Sequence, residues 1–341
     1  MGLDLKPLVT PVPLKLQELA GKVVAIDAYN TIYQFLSIIR GPSGEPLANS
    51  RGEITSHLSG LFYRSTNFLT EDIKPVYVFD GKANELKMVE IQRRSKLKKE
   101  ATEKYQLAIE EGRMEDAQKY GKRTSILTDK MVEESKKLLS HLGIPYIQAP
   151  SDGEAAAAYL TRHDLAFAAA SQDYDSILFG AKKLVRNLAI SGKRKVPNRN
   201  VYVDVEPEIF EHDKVLQEVG LTHEQLVDVG ILIGTDFNPG GFSGIGPKTA
   251  LKLIKENGKL ENVEKIKHLL PEVPYQEIRN IFLAPEVPKV DKIEFGEVNR
   301  EKVLDFLCVD KSFSADRVSS TLDKMQKAAA NRSQSLEQWF G

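Results

Sequence analysis

Seven carboxylates in this 341-residue sequence stand at places where a reaction could be run. Asp27 closes the apolar run Val23-Val24-Ala25-Ile26, and Asp80 closes Val76-Tyr77-Val78-Phe79. Asp152 and Glu154 follow Tyr146-Ile147-Gln148 by a short turn, and Asp173 and Asp175 follow Ala166–Ser171. Asp236 comes just after a helical pattern that ends at Gly234 and is a seventh candidate. In open parallel α/β sheets, ligands bind at the carboxyl ends of the strands, so four strand ends aim six acids at one edge. Each acid also has an ordinary reading. Ser151–Glu154 has the form of a capping box, Asp173-Tyr174-Asp175 that of a capped turn, and Asp27 and Asp80 those of strand-end turns. These readings fail on the sum, because carboxylates packed together repel and must take up protons or cations. No His or Cys converges with them, so the expected ion is hard and oxygen-loving, Mg²⁺ or Mn²⁺. Two such ions roughly 4 Å apart suit an in-line displacement at a phosphodiester.

Cations accompany the acids. Lys87 and Arg94 are seven residues apart, two turns along one helical face, where they can offset charge on a phosphate. They belong to a block from Lys87 to Lys99 that also holds Arg93, Lys96, Lys98 and Lys99 against the single acid Glu90. A second block, Lys182 to Arg199, has no acid at all. Blocks of this kind are commonly solvated faces; here they read as separate phosphate-binding patches on a chain whose net charge is only −1. A third feature is Gly244-Ile245-Gly246-Pro247-Lys248-Thr249, which joins two helical patterns. Glycine lets backbone amides approach a phosphate, Pro247 suits a first helical position, and Lys248 and Lys252 add charge. Against a plain helix–helix turn, this favours a helix-hairpin-helix grip on duplex backbone, blind to sequence.

The elements that must position these residues are legible in outline. Lys22–Asp27, Pro75–Asp80, Ile144–Gln148, Ala166–Ser171 and Val201–Val205 read as buried strands. Ser56–Leu69, Lys130–Leu142, Glu154–Leu160, Leu221–Gly234 and Pro247–Glu256 read as helices. Alternation of the two predicts an α/β fold with a mostly parallel central sheet flanked by helices. Residues 82–130 are charged and carry a thin apolar stripe, as expected of an exposed helical insertion. The expected organisation is one domain over residues 1–326. Its core is 1–81 and 131–235, the insertion 82–130, the hairpin region 221–260 and a C-terminal wrap 261–326. Pro271–Pro288 reads as irregular, and 327–341 as a flexible polar tail.

Composition bounds the class: 41% hydrophobic and 28% charged residues fit a globular protein with a sizeable core. One cysteine, Cys308, leaves no intrachain disulfide and suits a reducing compartment. No apolar run approaches a membrane span. The opening residues have no signal-peptide pattern, and Lys6 stands where a myristoylation motif has Ser or Thr. The expectation is a soluble intracellular protein.

Taken together the chain resembles the flap endonucleases, over essentially its whole length. The segments that carry the likeness are Met1–Leu5, VAIDAYNTIYQFL, KPVYVFDGKANELK, APSDGEAAAAYL, AAASQDYDSILFG, GTDF and GIGPKTALKLI. The resemblance implies a structure-specific 5′-flap endonuclease with 5′–3′ exonuclease activity, cutting near the single-strand/double-strand junction in Okazaki fragment processing and repair. It implies Asp27, Asp80, Asp152, Glu154, Asp173, Asp175 and Asp236 as ligands of two Mg²⁺, which Mn²⁺ can replace. Lys87 and Arg94 match the cations at the foot of the family's arch, formed here by 82–130, and Tyr33 an aromatic that stacks on a base. Gly2, Arg93, Lys98, Gly244, Gly246, Lys248, Thr249 and Lys252 fall to DNA contacts, with a monovalent cation held at the hairpin. Two positions depart from the family pattern. Asp152 stands where Glu is usual, one methylene short. In the tail, Leu336, Trp339 and Phe340 keep the spacing of a peptide that binds the sliding clamp (PCNA), but Ser333 replaces its Gln. The ending resembles the archaeal branch, for which the expected place is the cytoplasm at the nucleoid; a eukaryotic member would be nuclear. The expected protein is a monomer apart from the clamp.

Other classes fit less well. A haloacid-dehalogenase-like phosphohydrolase accounts for Asp27-Ala28-Tyr29-Asn30-Thr31 but not for the later acids or the hairpin. A Mn²⁺ glycosyltransferase accounts for Asp173-Tyr174-Asp175 and nothing more. A non-catalytic DNA-binding clamp adaptor binds flap DNA with or without Mg²⁺ and never cuts it.

Overall fold

A computed structural model describes residues 3–190, 192–195 and 202–340. Its strands are β1 Val12–Pro13, β2 Val23–Asp27, β3 Lys74–Phe79, β4 Tyr146–Gln148, β5 Ala168–Ala170, β6 Lys183–Arg186, β7 Gly192–Lys195, β8 Tyr202–Val205 and β9 Glu208–Glu211. The helices of the first half are α1 Ala28–Ile38, α2 Ser56–Thr70, α3 Met88–Glu110, α4 Met114–Gly121, α5 Asp129–His141 and α6 Gly153–Arg162. Those of the second half are α7 Asp175–Leu178, α8 His212–Val219, α9 His223–Ile233, α10 Pro247–Asn257, α11 Tyr275–Leu283, α12 Arg300–Leu304 and α13 Ala315–Phe340.

Seven strands form one sheet in the order β1-β9-β6-β5-β2-β3-β4. The pairings β6-β5, β5-β2, β2-β3 and β3-β4 are parallel, and β9 and then β1 extend the sheet antiparallel. Side chains of a strand alternate between faces, and the sheet is covered on both. Ala25, Val76, Val78 and Leu184 enter one apolar layer with α6, α9 and α11. Val24, Ile26, Tyr77, Phe79 and Val185 enter the other with α1, α2, α5 and α13. Burial on both faces is why these strands read as continuous apolar runs. Among the described residues, no helix is long and apolar enough to cross a membrane.

Four expectations need correction. Val201–Val205 is not a core strand: β8 pairs with β7 in a separate two-stranded ribbon. The block from Lys182 is not one solvated patch, since β6 lies inside it with Leu184 and Val185 fully buried between charged neighbours. Pro271–Pro288 contains α11, which fits between Pro274 and Pro285 because prolines bound it without interrupting it. Lys327 begins no irregular tail, for α13 continues through it, and Arg332 fastens the helix by donating to the Thr70 (2.7 Å) and Leu69 (3.1 Å) carbonyls at the end of α2. The side chains of Leu336, Trp339 and Phe340, like Gly2, lie outside the described residues.

Candidate active site

Each acid is delivered by a strand end or a helix start. Asp27 ends β2 and caps α1, its Oδ1 accepting the Asn30 amide (2.9 Å). Asp80 follows β3, and its Oδ1 accepts the Gly153 amide (2.7 Å) at the start of α6. Asp152 is the N-cap residue of α6 but makes no capping bond. The capping box whose form Ser151–Glu154 has is therefore not formed. Glu154 turns away from Ser151 and accepts from the Ser171 hydroxyl (3.0 Å), which also reaches Asp27 Oδ2 (3.3 Å). Asp175 opens α7, and the capping reading of Asp173-Tyr174-Asp175 fails too, because Tyr174 holds the cap position without a side-chain bond. Asp236 comes from the turn after α9. The turn after α9 is built by Asn238, which accepts from Thr235 and donates to the Ile231 carbonyl (2.7 Å), and this places Asp236 against Arg94.

The electrostatics follow from that crowding. Burial, and then Asp80, push Asp27 up to about 8. Asp175 likewise rises to about 8, through burial and then Asp173 and Asp236. Burial first and neighbouring carboxylates second raise Glu154 well above the usual range, with Asp175 the nearest cause. Asp80 and Asp173 are raised as well, chiefly by burial. Asp175 Oδ1 is buried without a hydrogen-bond partner. An all-oxygen, desolvated set carrying more negative charge than it can keep ionised, with one carboxylate oxygen unpaired, fits a hard divalent cation. Among the described residues no three of these acids stand close enough to share one ion; all but Asp175 are engaged by partners of their own.

Two of those partners are the expected cations. Lys87 is ion-paired to Asp152, and its ammonium sits 4.8 Å from the centre of the Phe237 ring. Burial pulls Lys87 down, but Asp152, Asp80 and Glu154 outweigh it and hold the charge firmly in place. Arg94 bonds Asp236 (2.7 Å) and Glu90 (2.6 Å). Glu90 looked like a lone acid in a basic block. It is buried, only 3% exposed, and binds both Arg93 and Arg94, which hold it down to about 2 against the opposing effect of burial. Lys98 lies over the Tyr33 ring (4.3 Å) and donates to its hydroxyl (3.2 Å). The structure thus brings together the seven acids, Lys87 and Arg94, while Tyr33 on α1 and Lys98 on α3 pair with each other. Within residues 82–130 lie the 23-residue α3 and the shorter α4, packed together.

The hairpin is a separate element joined to this site through α9. Gly244 has a φ of 75°, which other residues avoid, and Phe242 and Ile245 anchor the turn in the core. Pro247 opens α10; Ala250 and Ile254 face inward while Lys248, Thr249 and Lys252 are exposed. Sequence reasoning passed over Asn30, Gln34, Ser171 and Phe237. The only signal for Asn30 was its place three residues after Asp27, in the first turn of α1.

A sheet whose strand ends gather buried carboxylates beside a cationic helical insertion defines a phosphodiester-cutting class of protein. Residues 3–101 match the XPG N-terminal domain, and residues 143–236 match the XPG I-region. The chain belongs to the flap endonuclease family. It is 58% identical to flap endonuclease 1 of Nitrosopumilus maritimus, with all of both chains covered. It is 49% identical to flap endonuclease 1 of Saccharolobus solfataricus, over 99% of this chain and 100% of the relative. Among solved structures, flap endonuclease-1 from Methanococcus jannaschii matches with a TM-score of 0.76 at 38% identity, covering 97% of this chain and 100% of that one. The catalytic core of Rad2 in complex with DNA substrate matches with a TM-score of 0.68 at 25% identity, covering 94% and 96%.

Proposed function

We propose that this protein is a structure-specific 5′-flap endonuclease with 5′–3′ exonuclease activity, hydrolysing a DNA phosphodiester near the single-strand/double-strand junction during Okazaki fragment processing and repair. The observation that carries the reading is the convergence of seven acids from four strand ends and the α9 turn on Lys87 and Arg94 at the foot of a helical arch. Asp27, Asp80, Asp152, Glu154, Asp173, Asp175 and Asp236 would hold two Mg²⁺, for which Mn²⁺ can substitute. Bound there, the ions supply Lewis acidity and an activated water for in-line displacement. Lys87 and Arg94 turn from Asp152 and Asp236 to the scissile phosphate and offset the charge that builds on it. Tyr33 supports the base beside that phosphate, the arch passes the single strand, and Lys248, Thr249 and Lys252 hold duplex backbone, with Gly244 and Gly246 allowing close approach and a monovalent cation. The protein acts as a monomer at the nucleoid, recruited to the sliding clamp by Leu336, Trp339 and Phe340.

The test is denaturing-gel cleavage of single-flap, double-flap, nicked and single-stranded DNA with and without Mg²⁺. Cutting at flap junctions only with Mg²⁺, lost in Asp175→Ala with DNA binding retained, is the expected result. Wild-type rates in that variant would overturn the site. Trp339→Ala with Phe340→Ala should remove stimulation by the clamp and leave basal cutting alone.

A further inference from the structure

A polar relay on α1 reaches the acid cluster from behind. Asn30 spans two of the carboxylates: its backbone amide donates to Asp27 Oδ1 (2.9 Å), and its side-chain Nδ2 donates to Asp173 Oδ2 (3.0 Å). Asp27 ends β2 and Asp173 follows β5, so the two acids are far apart in sequence, and the bond from Asn30 to Asp173 closes a separation of 143 residues. One turn further along α1, Gln34 Nε2 donates to Asn30 Oδ1. That bond decides which way the Asn30 amide faces. With its oxygen occupied by Gln34, its nitrogen must point at Asp173, the one orientation in which it donates to a carboxylate instead of opposing it.

Gln34 lines a cavity of about 10 Å³ with Asn30, Ser171, Gln172, Ile26 and Val185, and its Oε1 has no hydrogen-bond partner within the protein. Among the described residues its side-chain hydrogen bond is the one to Asn30, so what this amide does in the fold is orient Asn30.

We infer that Asn30, held in orientation by Gln34, is a positioning residue that fixes the Asp173 carboxylate for cation binding. It occupies Oδ2 and leaves Oδ1 as the donor. The inference rests on the metal-site reading proposed above. Outer groups that orient a ligand are typically worth about 10–100-fold in metal affinity.

The experiment is calorimetric titration of the full chain with Mn²⁺ in the absence of DNA, alongside the Mg²⁺ dependence of single-turnover flap cleavage. Asn30→Ala should weaken Mn²⁺ binding about 10-fold or more and raise the half-saturating Mg²⁺ correspondingly. Its DNA affinity in EDTA should stay near wild type. Gln34→Met should shift metal affinity in the same direction while thermal stability is kept or increased, a combination that a purely structural role does not produce. In the double variant Gln34→Met should add nothing to Asn30→Ala, because it acts only through Asn30. Wild-type Mn²⁺ affinity in Asn30→Ala would overturn the inference, as would additive losses in the double variant for the role of Gln34. If the wild-type protein itself took up no Mn²⁺, the metal-site reading would fail instead, so the two failures are distinguishable.

Discussion

Lys87, at the start of α3, is ion-paired to Asp152, at the start of α6, so α3 is latched to the acid cluster by one of the cluster's own members. This pairing gives the shorter carboxylate at 152 a consequence. A cation held by Asp152 would compete with Lys87 for the same oxygen atoms, and the proposed function gives Lys87 the task of serving the phosphate. Lys87→Met should therefore separate two quantities that usually move together. Single-turnover cutting should fall about 100-fold or more, the scale for losing one stabilising charge or donor at a reacting oxyanion. Mn²⁺ affinity measured without DNA should hold or improve, because Asp152 is released. Asp152→Glu should lower the Mg²⁺ needed for half-maximal cutting. Weaker Mn²⁺ binding in Lys87→Met would contradict the competition.

The cluster also predicts an inverted pH response. Asp27 and Asp175 are each pushed up to about 8, burial being the main cause in both, against about 3.9 in an unfolded chain. A carboxyl raised on folding contributes stability that is fully present below the unfolded value and is lost as pH rises through the folded one. With chelator present, the melting temperature should fall from about pH 5 to about pH 9. Excess Mg²⁺ binds the deprotonated carboxylates, so its stabilising effect should grow over the same range. Melting curves across pH with EDTA and with Mg²⁺ check both signs; a metal-free melting temperature that climbs with pH would refute the assignment.

What was legible in the sequence follows from how local each signal is. Val23–Asp27 and Lys74–Asp80 announce themselves because a strand buried on both faces must be apolar throughout, and the acids stand out at its end. The Ser151–Glu154 pattern, which has the form of a capping box and does not make one, is the opposite case. Its pattern is local, but the Gly153 amide is claimed by Asp80 from 73 residues away and Glu154 by Ser171 from 17, and no spacing rule records such claims. Glu90 shows the same limit: a lone acid among cations reads as exposed, whereas two arginines make its burial tolerable. The helix through Lys327 depends on Arg332 meeting the end of α2, a contact 262 residues long in sequence.

Docking of α4 rests on two glycines. Gly44, with φ 85°, lies against α4, and a Cβ at Gly121 would stand 2.5 Å from the Gly44 carbonyl oxygen. Around that contact Arg40 donates to the Gly44 carbonyl (2.7 Å) and to Ser125 (2.8 Å), and Ser37 to the Lys122 carbonyl (2.8 Å). Gly121→Val should push α4 off the turn at residues 40–46. The core should melt at an unchanged temperature, because neither apolar layer of the sheet includes α4. Limited trypsin digestion within residues 88–123 should accelerate, and flap cutting should fall while nicked-duplex binding persists. Unchanged digestion would mean that the arch is held elsewhere.

The hairpin makes a prediction that needs no catalysis. Lys248 and Lys252 are exposed on α10, and Lys252 has only a distant, solvent-exposed partner in Glu256 (3.7 Å). If they hold duplex phosphates, each releases counterions on binding, and log affinity falls with log salt by about 0.9 per contact. Lys248→Glu and Lys252→Glu should each flatten that slope by about 1 and weaken all duplexes alike, since phosphate contacts carry no sequence information. The measurement is fluorescence anisotropy of a flap duplex across a salt series, with Ca²⁺ present to prevent cutting. A pair of duplexes differing only in sequence should lose affinity equally. A weakened affinity with the slope intact would mean that these lysines support the hairpin's fold and do not touch the backbone.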